Sequence, residues 1–227
     1  MIMNIAVIFA MEEEKEAFFR FFEAIEAIKK DGLLYYHLPH EKHLIHCIQS
    51  GIGKVNAAYK TARFLQQHPY DIIINTGIAG GVNREVFEVV LGEKLIYHDV
   101  DVTAFNYPQG QVPGMPNSYY SDPQYVDVFK QAMREHPYIN GTIASGDQFM
   151  TSLTPLKSFM ESTPDLHAVD MESTAIAQIA YLENIPFLSF RIISDVLGSP
   201  TQTTDEKTVE TATLKSGEVL KRVCDAL

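Results

Sequence analysis

Carboxylates follow apolar segments at three places in this chain. The run at 5–9 leads through Ala10-Met11 into Glu12-Glu13-Glu14. Met171-Glu172 opens an apolar helical stretch, and the β-branched run at 187–193, which carries Arg191, leads into Ser194-Asp195. A carboxyl group set against apolar surface loses hydration in its charged form. Its pKa rises, and it becomes able to exchange protons near neutral pH. General acid and base catalysis is therefore the chemistry these residue types offer.

Helical spacing sorts the glutamates. Glu14 is followed at three- and four-residue steps by Phe18, Phe21, Phe22, Ile25 and Ile28, an apolar stripe, whereas Glu12 leads to Glu16 and Glu23, and Glu13 to Ala17 and Arg20. Glu14 is expected to face inward, while Glu12 and Glu13 fit the ordinary use of acids in a first helical turn. Glu172 leads to Ala175, Ile176 and Ile179 and is expected on a buried helical face. Asp170 fits an N-cap. Asp195 fits a turn after a strand as well as a site.

Glycines gather at the same kind of position. Ser50-Gly51-Ile52-Gly53-Lys54, Thr76-Gly77-Ile78-Ala79-Gly80-Gly81 and Ser145-Gly146-Asp147-Gln148-Phe149 each follow a strand-like run. Tight turns need glycine whether or not a ligand is present. The 51–54 turn lacks the spacing of a phosphate-binding P-loop, although its N–H groups could still address an anion. Both readings stand for that turn.

The elements needed to position these residues are strands at 5–9, 44–48, 71–75, 94–98, 141–144 and 187–193, with helices at 12–30, 55–67, 123–135, 171–183 and 208–226. Strands alternating with helices predict βαβ units and a largely parallel sheet, with ligands beyond the carboxyl ends of the strands. No repeat, low-complexity tract or linker divides the chain, so one domain over 1–227 is expected. The stretch 104–123 is long, rich in proline and glycine, and carries Phe105, Tyr107, Tyr119 and Tyr120. Segments of that kind are often functional or interfacial.

Composition narrows the function. A formal net charge of −11 opposes a polyanionic partner, so no nucleic acid is expected. No segment has the run of apolar residues needed to cross a membrane. Cys47 and Cys224, without a secretion signal, suggest reduced thiols in a cytoplasmic protein. The eight histidines lack metal-ligand spacing, and no metal is expected.

Ala10-Met11-Glu12-Glu13-Glu14, Ser50-Gly51-Ile52-Gly53-Lys54-Val55, Asn75-Thr76-Gly77, His98-Asp99, Asp101-Val102-Thr103-Ala104-Phe105, Ser145-Gly146-Asp147, Met171-Glu172 and Ser194-Asp195-Val196 occur in order. This ordered set resembles the bacterial 5′-methylthioadenosine/S-adenosylhomocysteine nucleosidases of the purine nucleoside phosphorylase superfamily. The resemblance implies a three-layer α/β nucleoside phosphorylase-like fold with a central mixed, largely parallel twisted sheet. It implies hydrolysis of the N-glycosidic bond of 5′-methylthioadenosine, S-adenosylhomocysteine and 5′-deoxyadenosine, releasing adenine, with a place in methionine salvage.

On the same resemblance Asp195 is the acid at adenine N7 and Glu14 the base that activates water. Glu172 holds the ribose hydroxyls, Met171 packs on the sugar, and Arg191 supports the carboxylates. Phe149 stacks on adenine, and the backbone of Met150 reads its edge. Met11, Ile52, Ile78, Ala79, Gly80 and Ser194 complete the substrate contacts. Val102, Phe105 and Pro113 lie near the 5′ group at the boundary of a homodimer, and no cofactor is needed.

Three residues or segments depart from the family pattern. Ile78 replaces a common Ser, Asp170 stands where Glu-Met-Glu is usual, and 197–207 has no aromatic residue, so that segment is expected to move when no ligand is bound. Competing readings are a phosphate-dependent purine nucleoside phosphorylase, an aminodeoxyfutalosine nucleosidase and a non-catalytic nucleoside-binding domain.

Overall fold

The computed structural model describes residues 2–199 and 205–227. In chain order its elements are β1 (Asn4–Phe9), α1 (Glu12–Phe19), β2 (Glu26–Lys30), β3 (Leu33–Leu38), β4 (Leu44–Gln49), α2 (Lys54–Leu65), β5 (Ile72–Gly81), β6 (Val89–Tyr97), β7 (Tyr119–Tyr120), α3 (Pro123–Ala132), β8 (Ile139–Ser145), α4 (Lys157–Ser162), β9 (Leu166–Asp170), α5 (Ser173–Glu183), β10 (Phe187–Val196) and α6 (Glu206–Ala226). Single 3-10 turns cover Thr103–Phe105 and Thr154–Leu156.

The sheet is mixed. Parallel ladders join β4, β1, β5 and β10 in that order, and a second parallel set joins β6, β8 and β9. Antiparallel ladders link the two sets, β10 to β6 and β5 to β9, so that β5, β10, β6, β8 and β9 close into a ring. Helices cover both faces, which is the three-layer arrangement. Residues along the central strands alternate between the two: Ile5, Val7, Phe9, Ile72, Ile74 and Phe190 pack with Phe18, Phe129 and Val223, while Ala6, Ile8, Ile73 and Ile193 pack with Phe64, Ala57 and Ile176. Strands buried on both faces read as continuous apolar runs, as these do.

Several expectations are corrected. β5 runs on to Gly81 and β10 to Val196, so the glycines of 76–81 and Asp195 stand within strands and not in turns after them. The helix placed at 12–30 ends at Phe19, and 26–30 is the strand β2. Asp31 and Gly32, at φ 52° and 73°, form a two-residue turn that folds β2 back on β3 with Lys30 opposite Leu33. An Asp-Gly pair reaches positive φ at both positions with little strain, which is the geometry a two-residue hairpin requires. The stripe from Glu14 therefore breaks after Phe18. The short strand β9, which falls in a stretch read as neither helix nor strand, supplies the ladder that closes the ring.

Of the segment expected to move, residues 200–204 lie outside the described residues. Its first residue, Leu197, is buried and donates its N–H to the Gly81 carbonyl at 3.0 Å. The 104–116 loop is tied down in part. Gly110 donates to the Val100 carbonyl at 2.8 Å, and Val112 and Met115 pack on the core, while Phe105 stands out at 75% exposure.

Candidate active site

The carboxyl ends of β1, β5, β8, β9 and β10 meet around one cavity of about 290 Å³. Glu14 enters it from the first turn of α1 and is buried. One carboxylate oxygen accepts the N–H groups of Ala10 and Met11, each at 3.0 Å, and the other accepts that of Ile78 at 3.0 Å. The first contacts cap the group's own helix, and the third fixes it to β5. Burial pushes the Glu14 pKa up, opposed by the charge of Arg191 and by these N–H groups.

Ile78 thus acts on Glu14 through its backbone, which a Ser there would do equally well. Gly77 leaves the room: a Cβ on it would lie 2.0 Å from a Glu14 carboxylate oxygen.

Asp195 owes its direction to a bulge. The β10–β5 register runs Ile193 opposite Ala79 and then Asp195 opposite Gly80, so Ser194 is the extra residue. Bulges of this kind re-aim side chains beside functional sites. The Ser194 hydroxyl donates to the Asp195 carboxylate at 2.8 Å. Burial raises the Asp195 pKa, and that hydrogen bond opposes the rise.

Glu172 precedes α5, and its carboxylate accepts the Gly53 N–H at 2.7 Å. Gly53, at φ 93°, is the N-cap of α2. The glycine turn at 51–54 therefore does address an anion, and that anion is a side chain of the protein. Burial and the neighbouring charge of Asp170 push the Glu172 pKa up to about 7, against the pull of Gly53 and Arg191.

Arg191 is fully buried beneath the site and does not line the cavity. Its Nε donates to Asp170 at 2.8 Å and one terminal nitrogen donates to the Asn75 side chain at 2.6 Å. Asp170 also accepts the Ser173 hydroxyl and the N–H groups of Glu172 and Ser173, both at 3.2 Å. Arg191 therefore reaches Glu14 and Glu172 only through its field, and Asp170 is its direct partner. Asp170 is not the N-cap of α5, which is Glu172; it ends β9, and its side chain serves both the ion pair and the N–H groups at the start of that helix.

Met11, Ile52, Ile78, Ala79 and Gly80 line the cavity, as do Phe149, Met150, Met171 and Ser194. Phe149, though it lines the cavity, is 62% exposed. Val102, Phe105 and Pro113 lie outside the cavity. Ala10, Gln148, Val169, Asp170 and Val209 line it without having been expected there. Gln148 adjoins Phe149 in sequence and was within reach of the same reading. Val169 and Val209 come from β9 and α6, and no local pattern marks them.

The Phosphorylase superfamily model matches residues 4–227. The chain belongs to that superfamily. A 5′-methylthioadenosine/S-adenosylhomocysteine nucleosidase of Bacillus cytotoxicus is 37% identical to this superfamily member over 230 residues, covering 99% of this chain and all of the relative. A nucleosidase of the same description from Neisseria meningitidis, solved in complex with methylthio-immucillin-A, superposes with a TM-score of 0.92 at 33% identity and full coverage of both chains. A futalosine hydrolase mutant of Helicobacter pylori gives a TM-score of 0.92 at 25% identity, again with full coverage of both.

Within the superfamily member's cavity four carboxylates, Glu14, Asp170, Glu172 and Asp195, share a largely apolar wall with the polar side chains of Gln148 and Ser194. No Lys, Arg or His lines it among the described residues. Among the same residues no helix is long and apolar enough to cross a membrane.

Proposed function

We propose that residues 1–227 form one catalytic unit that hydrolyses the N-glycosidic bond of 5′-methylthioadenosine and S-adenosylhomocysteine. The observation that carries this reading is the lining of the cavity: four carboxylates and, among the described residues, no Lys, Arg or His. A phosphate nucleophile needs positive charge to hold it, whereas water needs a base. Asp195 gives a proton to adenine N7 as the C1′–N9 bond breaks, and the bonding pair remains on the base. The sugar becomes oxocarbenium-like. Water attacks C1′ and loses its proton to Glu14. Glu172 binds the ribose hydroxyls, Met171 packs on the sugar, Phe149 stacks on adenine and the Met150 backbone reads the purine edge.

The test is a panel of purified nucleosides assayed for free adenine. 5′-Methylthioadenosine, S-adenosylhomocysteine and 5′-deoxyadenosine are expected to react. The futalosine hydrolase neighbour supports a second reading, a nucleosidase for aminodeoxyfutalosine, and that compound belongs in the panel. Release of adenine from none of these overturns the proposal.

The working form in this reading is a homodimer. Phe105 stands exposed on a loop whose neighbours Gly110, Val112 and Met115 are packed, and large apolar groups held out on an ordered loop call for a covering surface. Phe105, with Val102 and Pro113, reaches the partner's cavity near the 5′ group. Sedimentation is expected to give a dimer near twice 25.5 kDa, and Phe105→Ala to weaken both association and substrate binding. A fully active monomer at micromolar concentration contradicts this.

A further inference from the structure

Three loops that flank the cavity are tied together by charges that do not themselves line it. Lys54, at the first position of α2, donates its backbone N–H to the Asp147 carboxylate at 2.7 Å. Its ammonium reaches the Asp99 carboxylate at 2.6 Å, and the same Asp99 oxygen accepts the Asp147 N–H at 2.9 Å. The three contacts form a closed triangle joining the turn after β4, the segment after β6 and the loop after β8. The Lys54 ammonium also lies 5.2 Å from the centre of the Tyr97 ring. None of Lys54, Asp99 or Asp147 lines the cavity.

Two of the corners, Lys54 and Asp147, are one residue or two away from a residue that does, and Asp99 bridges them from outside. Gly53, before Lys54, gives its N–H to Glu172, and Ile52 before it lines the wall. Gln148, Phe149 and Met150, after Asp147, line the opposite part. Gly53 and Asp147 are also in close contact. A Cβ on Gly53 would lie 3.2 Å from the Asp147 carboxylate, and the positive φ of Gly53 further favours glycine there. The two N–H groups at the start of α2 are thus divided between two carboxylates, one inside the cavity and one in the triangle. Moving Asp147 moves Lys54, and with it the donor that orients Glu172.

We propose that Lys54, Asp99 and Asp147 act as a positioning clamp that fixes the distance between the Glu172 end of the cavity and the Phe149 end. The inference rests on the nucleosidase reading for what those ends bind, and on geometry alone for the clamp. The ion pair is partly exposed, and such pairs contribute little to global stability. Its effect falls on substrate binding, because an error of position at a bound substrate costs far more than the same error elsewhere.

The test uses the full-length protein and the variants Asp99→Asn, Lys54→Met, their combination, and Lys54→Arg. With 5′-methylthioadenosine, each of the first two is expected to raise KM by about tenfold while kcat stays within about threefold, the signature of lost binding without lost chemistry. The double variant is expected to be no worse than the poorer single one, because both remove the same link. Lys54→Arg, which keeps the charge, is expected to recover most of the loss. A KM within twofold of the wild type in Asp99→Asn, or additive losses in the double variant, overturns the clamp.

Amide hydrogen exchange separates failure of the clamp from failure of the function. Peptides covering 51–56 and 145–150 are expected to exchange at least about tenfold faster in Asp99→Asn, as a loop does when its tether is lost. Unchanged exchange overturns the clamp even if the wild type proves inactive on the nucleoside. An inactive wild type with the expected exchange leaves the clamp standing and removes the nucleosidase reading.

Discussion

Asp195→Asn is expected to lower kcat by at least about 10², and Glu14→Gln by a similar factor, the contribution usual for a positioned proton donor or acceptor. Asn can still accept the Ser194 hydroxyl and can hydrogen-bond a purine nitrogen, but it has no proton to deliver. Burial raises the Asp195 pKa, so the carboxyl keeps its proton to a higher pH than an exposed Asp does, and activity should fall as pH rises through that pKa. Asp195→Asn should remove this alkaline limb of the rate profile.

Glu14 must be ionised to accept a proton from water, so activity should also fall as pH drops through its own raised pKa. A glutamine there would set an NH2 group against one or more of the Ala10, Met11 and Ile78 N–H groups. Circular dichroism and a melting curve are needed to show that each variant is folded. Near-normal turnover by a folded variant would remove that residue from its role.

Gly77→Ala should disable the site without touching any group that does chemistry. The new methyl carbon would lie 2.0 Å from one Glu14 carboxylate oxygen and 2.6 Å from its carboxyl carbon. Gly77 is on β5 and its backbone is held in the ladder with β10, opposite Arg191, so the carboxylate has to move. It would leave the Ile78 N–H and shift by an ångström or more. Displacements of that size at a catalytic group cost about 10² in rate. Steady-state kinetics should show the loss in kcat. A Gly77→Ala protein with ordinary kcat would mean that Glu14 does not act from the position described.

The polarity of parallel strands made much of this site legible before any coordinates. Strands that run the same way deliver their C-terminal ends to one edge, and Glu14 and Asp195 could be grouped on that ground, whereas Glu172 was reached from helical spacing because the strand before it was not read. The local course of the chain beyond those ends was harder to read. The stretch 20–30 carries apolar residues at helical spacing, and only the Asp31-Gly32 turn, a local feature with a backbone reason, reveals the hairpin. The partner of Arg191 could not be read from sequence, because Asp170 lies on a different strand and the pair meets only when β5, β9 and β10 close the ring. Val169 entered the cavity for the same reason, and Val209 comes from α6, distant in sequence from every other lining residue but Ser194 and Asp195. The bulge at Ser194 leaves no mark in composition, yet it decides where Asp195 points.

The most direct test of the central claim follows the oxygen. 5′-Methylthioadenosine is incubated with the purified protein in ¹⁸O-labelled water, with and without inorganic phosphate, and the sugar product is analysed by mass spectrometry. The account predicts free adenine and a 5-methylthioribose carrying ¹⁸O at C1, formed at the same rate in both buffers. A product bearing a 1-phosphate, formed only when phosphate is present, would contradict it.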